Sequence, residues 1–274
     1  MAFWCKAIIT AILFVTSYCY GASKTVSVIT LPDYEPFGYL AQGDTHVVKV
    51  PPGEDSELFE GFAWDVVRES FHSMGYTVEL WVVPWARALT YLDSGRVDLI
   101  FPVSISAERL KIYRYSKEHV NSVFYRLYVL KSQSLEWQSL EALHDMTIAQ
   151  MRGFNYGERW ALLKSVDKYD VGEIIQGFEM LMSKRVEGFV GYEGVWDIVL
   201  HQHKLENDII KLPMFDSNKE YLAASLGNPM GRKLLRQFDI GKRRITESGK
   251  LKEIQAKWSD LLSESDSSSD NKNQ

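Results

Sequence analysis

Two residue types suited to binding a small anion stand directly after an apolar run of the chain. Residues 98–103 read DLIFPV, Ser104 follows at once, and Arg109 comes five residues later. The planar guanidinium of Arg109 can bind a carboxylate through two parallel hydrogen bonds, and a serine hydroxyl can donate a third. This stretch therefore predicts a site for a carboxylate-bearing molecule. The alternatives are turn chemistry at the serine and a surface arginine that pairs with Glu108 or Glu118.

Aromatic rings stand at two other junctions between predicted elements. Tyr34 comes shortly after the first predicted strand, and Trp85 opens a predicted helix. A ring at such a junction can stack on a ligand or accept a cation on its face; the alternative for Trp85 is packing in the core. Arg87 falls in the first helical turn, where the helix dipole disfavours a cation. We therefore expect Arg87 to pair with a ligand, with Asp33 or with Asp65.

The composition excludes several classes of protein. The chain has 274 residues, of which 46% are hydrophobic and 24% charged, as in an ordinary globular protein rather than a disordered, collagen-like or coiled-coil chain. Its formal net charge is −5, so it lacks a basic footprint and we expect no nucleic-acid partner. The sequence shows no zinc-protease, serine-hydrolase or phosphate-loop motif, and we expect neither an enzyme nor a cofactor nor a bound metal.

The two ends of the chain have patterns of their own. Residues 1–22 hold one lysine, a short apolar run and the small residues Cys19 and Gly21 at the spacing of a leader cleavage site. We expect a cleaved signal peptide; the alternatives are an uncleaved anchor, which needs roughly 20 apolar residues, and a lipid-modified Cys19. Both cysteines, Cys5 and Cys19, would leave with this segment, so the mature chain would contain no disulfide. Residues 263–274 are polar and of low complexity, which predicts a disordered tail.

Alternating β-rich and helical patterns predict an α/β architecture. A first series comprises strands at 25–30, 77–83 and 98–103 with helices at 61–74 and 85–94. A second, smaller series comprises strands at 147–150, 170–175 and 188–192 with helices at 156–165 and 178–184. This second series is flanked by extended runs at 122–131 and 220–225, and the chain continues with helices at 230–247 and 250–262. We therefore expect two α/β units between which the chain crosses twice, with ligand residues at the carboxyl ends of strands.

Six stretches, in this order and spacing, resemble the extracytoplasmic solute-binding proteins of bacterial uptake systems, solute-binding family 3 of the polar amino-acid type. They are residues 32–37 (PDYEPF), 61–67 (GFAWDVV), 84–92 (PWARALTYL), 95–98 (GRVD), 102–116 (PVSISAERLKIYRYS) and 147–153 (TIAQMRG). The resemblance implies an α/β, two-lobed periplasmic-binding-protein fold of type II, whose two α/β lobes are joined by two hinge crossings and close over a small solute. Lobe 1 would combine residues 23–130 with 224–262, and lobe 2 would be residues 131–223.

The resemblance also implies roles for individual residues. Tyr34 matches the aromatic position that covers the ligand, and Ser104 matches a hydroxyl contact. Arg109 matches the arginine that holds the ligand's carboxylate in amino-acid-binding members. In lobe 2, Phe154 and Asn155 stand in the turn where the family often has small hydroxyl residues that bind an anion.

One position departs from the amino-acid-binding pattern. Amino-acid binders usually carry an aspartate on the last strand of lobe 2, where it holds the ligand's amino group. Tyr192 stands at that position, and Glu193 comes next. Glu193 or a shifted register could restore the carboxylate; otherwise the ligand is not held by the usual amino-group clamp, because an ammonium buried without a partner is costly.

The resemblance further implies how the protein would work. It would be a periplasmic monomer that captures a small polar solute with a carboxylate, amino-acid-like in character, without a cofactor. A membrane permease would be its partner in uptake by an ABC transporter; the alternative is a membrane receptor that the protein serves as a ligand sensor. A third alternative is a dehydratase or lyase on the same fold, which would need a cleft carboxylate as its acid, and Glu193 is the candidate.

Overall fold

The computed structural model describes residues 24–41, 46–133 and 135–259. The expected signal peptide at 1–22 and the expected tail at 263–274 lie outside these residues. The described part contains seven α-helices: α1 Phe62–His72, α2 Trp85–Asp93, α3 Gly157–Leu162, α4 Ile174–Met182, α5 Glu193–Gln202, α6 Gly231–Glu247 and α7 Lys250–Lys257. In this part of the chain, no helix combines the length and the apolar character that crossing a bilayer requires.

Thirteen strands form two sheets within the described residues. They are β1 Lys24–Thr30, β2 Asp33–Tyr34, β3 Gly38–Leu40, β4 His46–Val50, β5 Phe59–Glu60, β6 Tyr76–Val82, β7 Leu99–Ser104, β8 Tyr113–Leu130, β9 Thr147–Met151, β10 Asp167–Val171, β11 Gly188–Tyr192, β12 Ile209–Lys211 and β13 Asp216–Ser225. The main sheet has the order β10-β9-β11-β8-β13-β7-β1-β6-β4, with β12 beside β8. Strands β2, β3 and β5 form a small separate sheet.

The first α/β unit forms because apolar strands alternate with amphipathic helices. β1 pairs in parallel with both β6 and β7, and all six residues of β7 are buried, as expected for a strand covered on both faces. α1 packs against β6 and α6 and buries Val66, Val67 and Phe71. Pro84 stands at the N-cap of α2, where its fixed φ is compatible with a helix start. Trp85 is thereby held just beyond the carboxyl end of β6.

The second unit repeats this pattern on a smaller scale. β9 lies between β10 and β11 and pairs in parallel with both. α4 and α5 pack on these strands, and the rings of Phe178, Phe189 and Trp196 pack together. Gly177 permits this packing, since a Cβ there would lie 2.4 Å from the ring of Phe189. The close-packed core fixes β11, whose last residue is Tyr192.

Two long strands, β8 and β13, join the units. They pair with each other from residue 113 to residue 125 of β8. β13 also pairs with β7 of the first unit, whereas residues 125–128 of β8 pair with β11 and residues 128–130 with β12. The main sheet therefore continues through both units. The fold is α/β and two-lobed, with two strands that pass from one lobe to the other.

Some predicted elements differ from the structure. The predicted strand at 170–175 is wrong. The strand in this region is β10, which ends at Val171, and helix α4 begins at Ile174. β10 is the edge strand of the sheet and exposes three of its five residues, so its sequence lacks an apolar signal. The extended runs predicted at 122–131 and 220–225 are the apolar parts of β8 and β13, which begin earlier with polar residues.

Candidate functional site

A small cavity lies where the two α/β units meet. It is lined by Leu31, Tyr34, Trp85, Pro102, Ser104, Arg109, Phe154, Tyr192 and Glu220. Six of the nine ligand contacts that the sequence predicts are in this wall: Tyr34, Trp85, Ser104, Arg109, Phe154 and Tyr192. The cavity measures about 10 Å³, roughly the space that one water molecule needs. A solute therefore enters only when the walls move apart.

Arg109 reaches from the first lobe to the second. It begins a short 3₁₀ helix beyond the carboxyl end of β7, and its backbone N–H donates to Ser106 Oγ at 3.2 Å. Its Nη1 donates to the carbonyl oxygen of Ser104 at 3.0 Å, and its Nη2 donates to that of Gly153 at 2.7 Å. The guanidinium thus faces two neutral acceptors. A ligand carboxylate in their place would form stronger, charge-assisted hydrogen bonds.

Aromatic rings from both lobes form the cavity walls. The ring centroid of Phe154 lies 5.2 Å from that of Tyr192 and 6.1 Å from that of Tyr34. Trp85 completes the set, with its ring 6.2 Å from Phe154. Gly153, just before Phe154, has a φ of 78°, a left-handed conformation that favours glycine. This turn lets the Gly153 carbonyl also accept the indole N–H of Trp85 at 3.2 Å.

Three cavity residues are missing from the sequence prediction, the apolar Leu31 and Pro102 and the charged Glu220. On β13, Glu220 stands opposite Ser104 of β7 and Asn121 of β8. Its Oε2 accepts hydrogen bonds from Tyr34 Oη at 2.8 Å and from Asn121 Nδ2 at 2.7 Å. Burial raises the pKa of Glu220 to about 7, because the charged form is disfavoured away from water. The only sequence feature that points to Glu220 is its place directly before the apolar run 221–224. That feature indicates burial but not a place in the cavity.

Two predicted contacts lie beside the cavity rather than in its wall. Arg87 is exposed, and its expected partner Asp65 pairs with Lys257 instead. The exposure follows from the helix phase, because the buried face of α2 consists of Trp85, Ala88 and Leu92. Asn155 lies where the lobes meet and donates from Nδ2 to the carbonyl oxygen of Ile105 at 3.1 Å. It therefore links the lobes without lining the cavity.

Glu193 belongs to a buried ion cluster that joins α5 to strands β8 and β12. Its carboxylate lies 2.7 Å from Arg126 Nε and 2.8 Å from Lys211 Nζ, and its side chain is 2% exposed. Lys211 also pairs with Asp197 at 2.5 Å. The cluster neutralises Glu193. The hydroxyl of the preceding Tyr192 faces the cavity side instead and donates to the carbonyl oxygen of Asn155 at 2.9 Å.

A larger groove of about 610 Å³ adjoins the cavity and has walls from both lobes. Leu31 and Trp85 line both spaces, so the groove leads towards the cavity wall. Asp33, Arg152 and Glu173 bring charge to the groove, and burial raises the pKa of Asp33. Among the described residues, no group of three or more His, Cys, Asp or Glu side chains is placed to hold a metal ion.

The sequence matches the family of bacterial extracellular solute-binding proteins, family 3, over residues 26–260. Because this match spans most of the chain, the protein belongs to that family, and the resemblance in its sequence motifs is confirmed. Membership gives the protein a solute-binding function, with a small molecule as ligand and a membrane protein, such as a transporter or a receptor, as partner. No curated protein sequence matches the chain.

Solved structures show the same fold. The sensor domain of a histidine kinase, similar to periplasmic binding proteins, aligns with a TM-score of 0.72 at 20% identity over 86% of this chain and 96% of its own. The substrate-binding protein of an amino acid ABC transporter aligns with a TM-score of 0.67 at 20% identity over 85% and 98%. AbpA from Streptococcus pneumoniae, bound to L-arginine, aligns with a TM-score of 0.65 at 21% identity over 84% and 92%.

Proposed function

We propose that this protein captures a small, polar, amino-acid-like solute bearing a carboxylate between its lobes and delivers it to a membrane transporter. The observation that carries the proposal is the convergence of Arg109 and Ser104 with aromatic rings of both lobes on one small cavity. A guanidinium recognises a carboxylate, and apolar walls with few polar groups are typical of small-molecule sites. Solved structures of the same fold include binding proteins of amino-acid transporters, which supports an amino-acid-like solute.

The same contacts couple binding to closure. Gly153 of lobe 2 accepts hydrogen bonds from both Arg109 and Trp85 of lobe 1. Gln202 of lobe 2 adds a hydrogen bond of 3.0 Å to Glu35 of lobe 1. A solute favours the closed form over the open form by the difference between its binding free energies for the two forms. Contacts to both walls of the cavity supply that difference.

The lobe division and the location belong to this proposal. Lobe 1 would comprise residues 23–130 and 224–262, and lobe 2 residues 131–223. The pairing of residues 125–130 with β11 and β12 supports a first crossing point inside β8, a few residues before the expected boundary at residue 130. The segment 1–22 would direct the protein to the periplasm and be removed there, and the mature protein would act as a monomer.

A second function is ligand sensing for a membrane receptor. The observation that favours it is the fold similarity to a histidine kinase sensor domain, with a TM-score of 0.72. Both functions use the same solute cavity and differ in the membrane partner. The lyase alternative receives no support from Glu193, because that carboxylate pairs with Arg126 and Lys211 and does not line the cavity.

The test is a thermal-shift screen of the mature chain against amino acids, amines and organic acids, followed by calorimetry on Arg109→Ala. We expect this variant to bind the selected compound at least tenfold more weakly, since a hydrogen bond to a charged group contributes roughly 1.5–3 kcal/mol and about 1.4 kcal/mol is a factor of ten. Arg109→Lys restores only part of the affinity, because an ammonium cannot form two parallel hydrogen bonds.

Arg232→Ala is the matched control, because Arg232 is an exposed arginine at the start of α6. It should bind the compound as the wild type does. Equal affinity in wild type and Arg109→Ala would contradict the proposal, and so would a best ligand that has no carboxylate.

A further inference from the structure

The cavity holds a buried acid that forms no ion pair with a side chain of the described residues, although Arg109 lines the same cavity. Glu220 is 3% exposed and lines the cavity. Three other carboxylates are buried in the described residues: Asp65, Glu193 and Asp239. Asp65 and Glu193 each pair with two cationic side chains, and Asp239 accepts two backbone N–H groups. Glu220 has neither kind of compensation among the described residues.

We propose that Glu220 is the acceptor for an ammonium group of the solute, so that the bound molecule is a zwitterion. Arg109 would hold its carboxylate and Glu220 its ammonium. This inference rests on the proposed function, because it assumes that the solute binds in the cavity that both residues line.

The hydrogen bonds of Glu220 leave one oxygen for a ligand. Both short bonds, from Tyr34 and Asn121, end on Oε2. Oε1 has a single, long contact of 3.4 Å from Ser104 Oγ. An ionised carboxylate can accept about four hydrogen bonds, so Oε1 keeps capacity for an ammonium donor. Strand pairing also holds the carboxylate in place, because Glu220 of β13 stands between Ser104 of β7 and Asn121 of β8.

The walls around Glu220 suit a cation. The rings of Tyr34, Trp85, Phe154 and Tyr192 line the cavity, and aromatic ring faces attract ammonium groups. Arg109 lines it as well, so a zwitterion would bring one opposite charge to each ionic residue. A purely anionic solute would instead leave the buried carboxylate uncompensated, which is strongly unfavourable.

This arrangement accounts for the departure at Tyr192. Tyr192 stands where amino-acid binders usually carry the aspartate that holds the ligand's amino group. The next residue, Glu193, cannot replace it, because its carboxylate pairs with Arg126 and Lys211. Glu220 offers a carboxylate from β13 instead. The acid that recognises the amine would thus stand on β13, a strand that joins the two units, and not on β11.

The experiment compares ligands that differ in the ammonium alone. The probes are the common L-amino acids and their matching 2-hydroxy acids, such as phenylalanine and phenyllactate, tested by calorimetry on wild type and Glu220→Gln. For the best amino acid, Glu220→Gln should lower the affinity at least tenfold, the effect of losing a charge-assisted hydrogen bond of about 1.4 kcal/mol or more. The affinity for the matching hydroxy acid should stay the same or rise, because glutamine still accepts its hydroxyl proton and no longer places a buried negative charge beside an anion.

The ratio of the two affinities separates recognition from folding, because both ligands need the same folded cavity. Glu158→Gln, an exposed glutamate in α3, is the matched control and should leave the ratio unchanged. An unchanged ratio in Glu220→Gln, or a wild type that prefers the hydroxy acid, would overturn the role of Glu220 while leaving the carboxylate site at Arg109 intact. Binding of no member of either series would overturn the proposed function and this inference with it.

Discussion

At the scale of single residues, Glu220 makes the stability of the closed, solute-free protein depend on pH. Its pKa is raised from 4.5 to about 7, chiefly by burial. Between these values the folded protein keeps a proton that the unfolded chain has released, so the free energy of unfolding falls as the pH rises through this window. Arg109 and the phenols of Tyr34, Tyr125 and Tyr192 also face Glu220, and burial raises the pKa of each phenol above its usual value of 10.0, outside this window.

We therefore expect the urea midpoint of the wild type to decrease from pH 5 to pH 8 relative to that of Glu220→Gln, which cannot lose this proton. The difference between the two denaturation series isolates Glu220 from the histidines, which titrate in both proteins. Parallel pH profiles for the two proteins would show that the carboxyl is not buried in solution.

The cavity residues differ in how far their sequence surroundings predict them. Three of them stand at the ends of elements that local sequence predicts: Ser104 ends β7, Arg109 begins the short 3₁₀ helix after it, and Trp85 begins α2. Glu220 meets Ser104 and Asn121 across 116 and 99 residues of chain. Its burial exists only after β13 has paired with β7 and β8, which no local pattern records. Sequence alone therefore predicts the cavity residues Ser104, Arg109 and Trp85 and misses Glu220.

At the scale of elements, the Glu193 cluster ties α5 and β11 to β8 and β12. Arg126 lies on β8 and Lys211 on β12, and both contact the carboxylate of Glu193. Removing one partner of a buried ion pair leaves an uncompensated charge, so we expect Glu193→Gln to lower the free energy of unfolding by about 3–5 kcal/mol. The folded variant should keep its affinity for the solute, because Glu193 does not line the cavity.

Urea denaturation and calorimetry on the same preparation measure both quantities. The exposed Glu158→Gln serves again as the reference for losing one surface carboxylate. A variant that is as stable as the wild type but has lost its affinity would show that Glu193, and not Glu220, is the acid of the site.

Helices α1, α2 and α6 and the buried strands of the two α/β units are the part of the fold that sequence predicts well. α1, α2 and α6 and strands β1, β6, β7 and β11 lie within about two residues of their predicted bounds, an ordinary uncertainty for element ends. Their apolar residues repeat with the period of the element, because each presents one face or both to the core. β10 and the first half of β8 lack this apolar periodicity. Many of their residues are exposed or only partly buried, so no regular pattern of apolar residues marks them in the sequence.

At the scale of the whole molecule, two strands and a few polar contacts hold the lobes in one arrangement. β8 and β13 make the covalent connection, while the hydrogen bonds from Trp85, Arg109 and Asn155 cross the cavity or its rim. A net hydrogen bond contributes roughly 0.5–1.5 kcal/mol. Each of these contacts can therefore shift the ratio of open to closed forms several-fold without changing either lobe.

Trp85→Phe tests this balance, because it removes the indole N–H that Gly153 accepts and keeps an aromatic ring beside Phe154. We expect the ratio of open to closed forms in the solute-free protein to rise roughly two- to tenfold. Energy transfer between dyes on cysteines replacing Lys252 and Arg185, exposed residues of the first and second lobes, measures that ratio. The labelling is specific because the chain's cysteines all precede residue 20 and would be removed with the leader.

Trp64→Phe provides the matched control for this experiment. It also loses an indole hydrogen bond, to Asp55 at 2.9 Å, but both residues belong to the first lobe, so the transfer efficiency should equal that of the wild type. If Trp85→Phe and Trp64→Phe gave the same efficiency, the contact to Gly153 would play no part in closure. If Trp85→Phe alone opens the protein, then saturating solute should restore the wild-type efficiency, because a ligand that binds the closed form better shifts the population back.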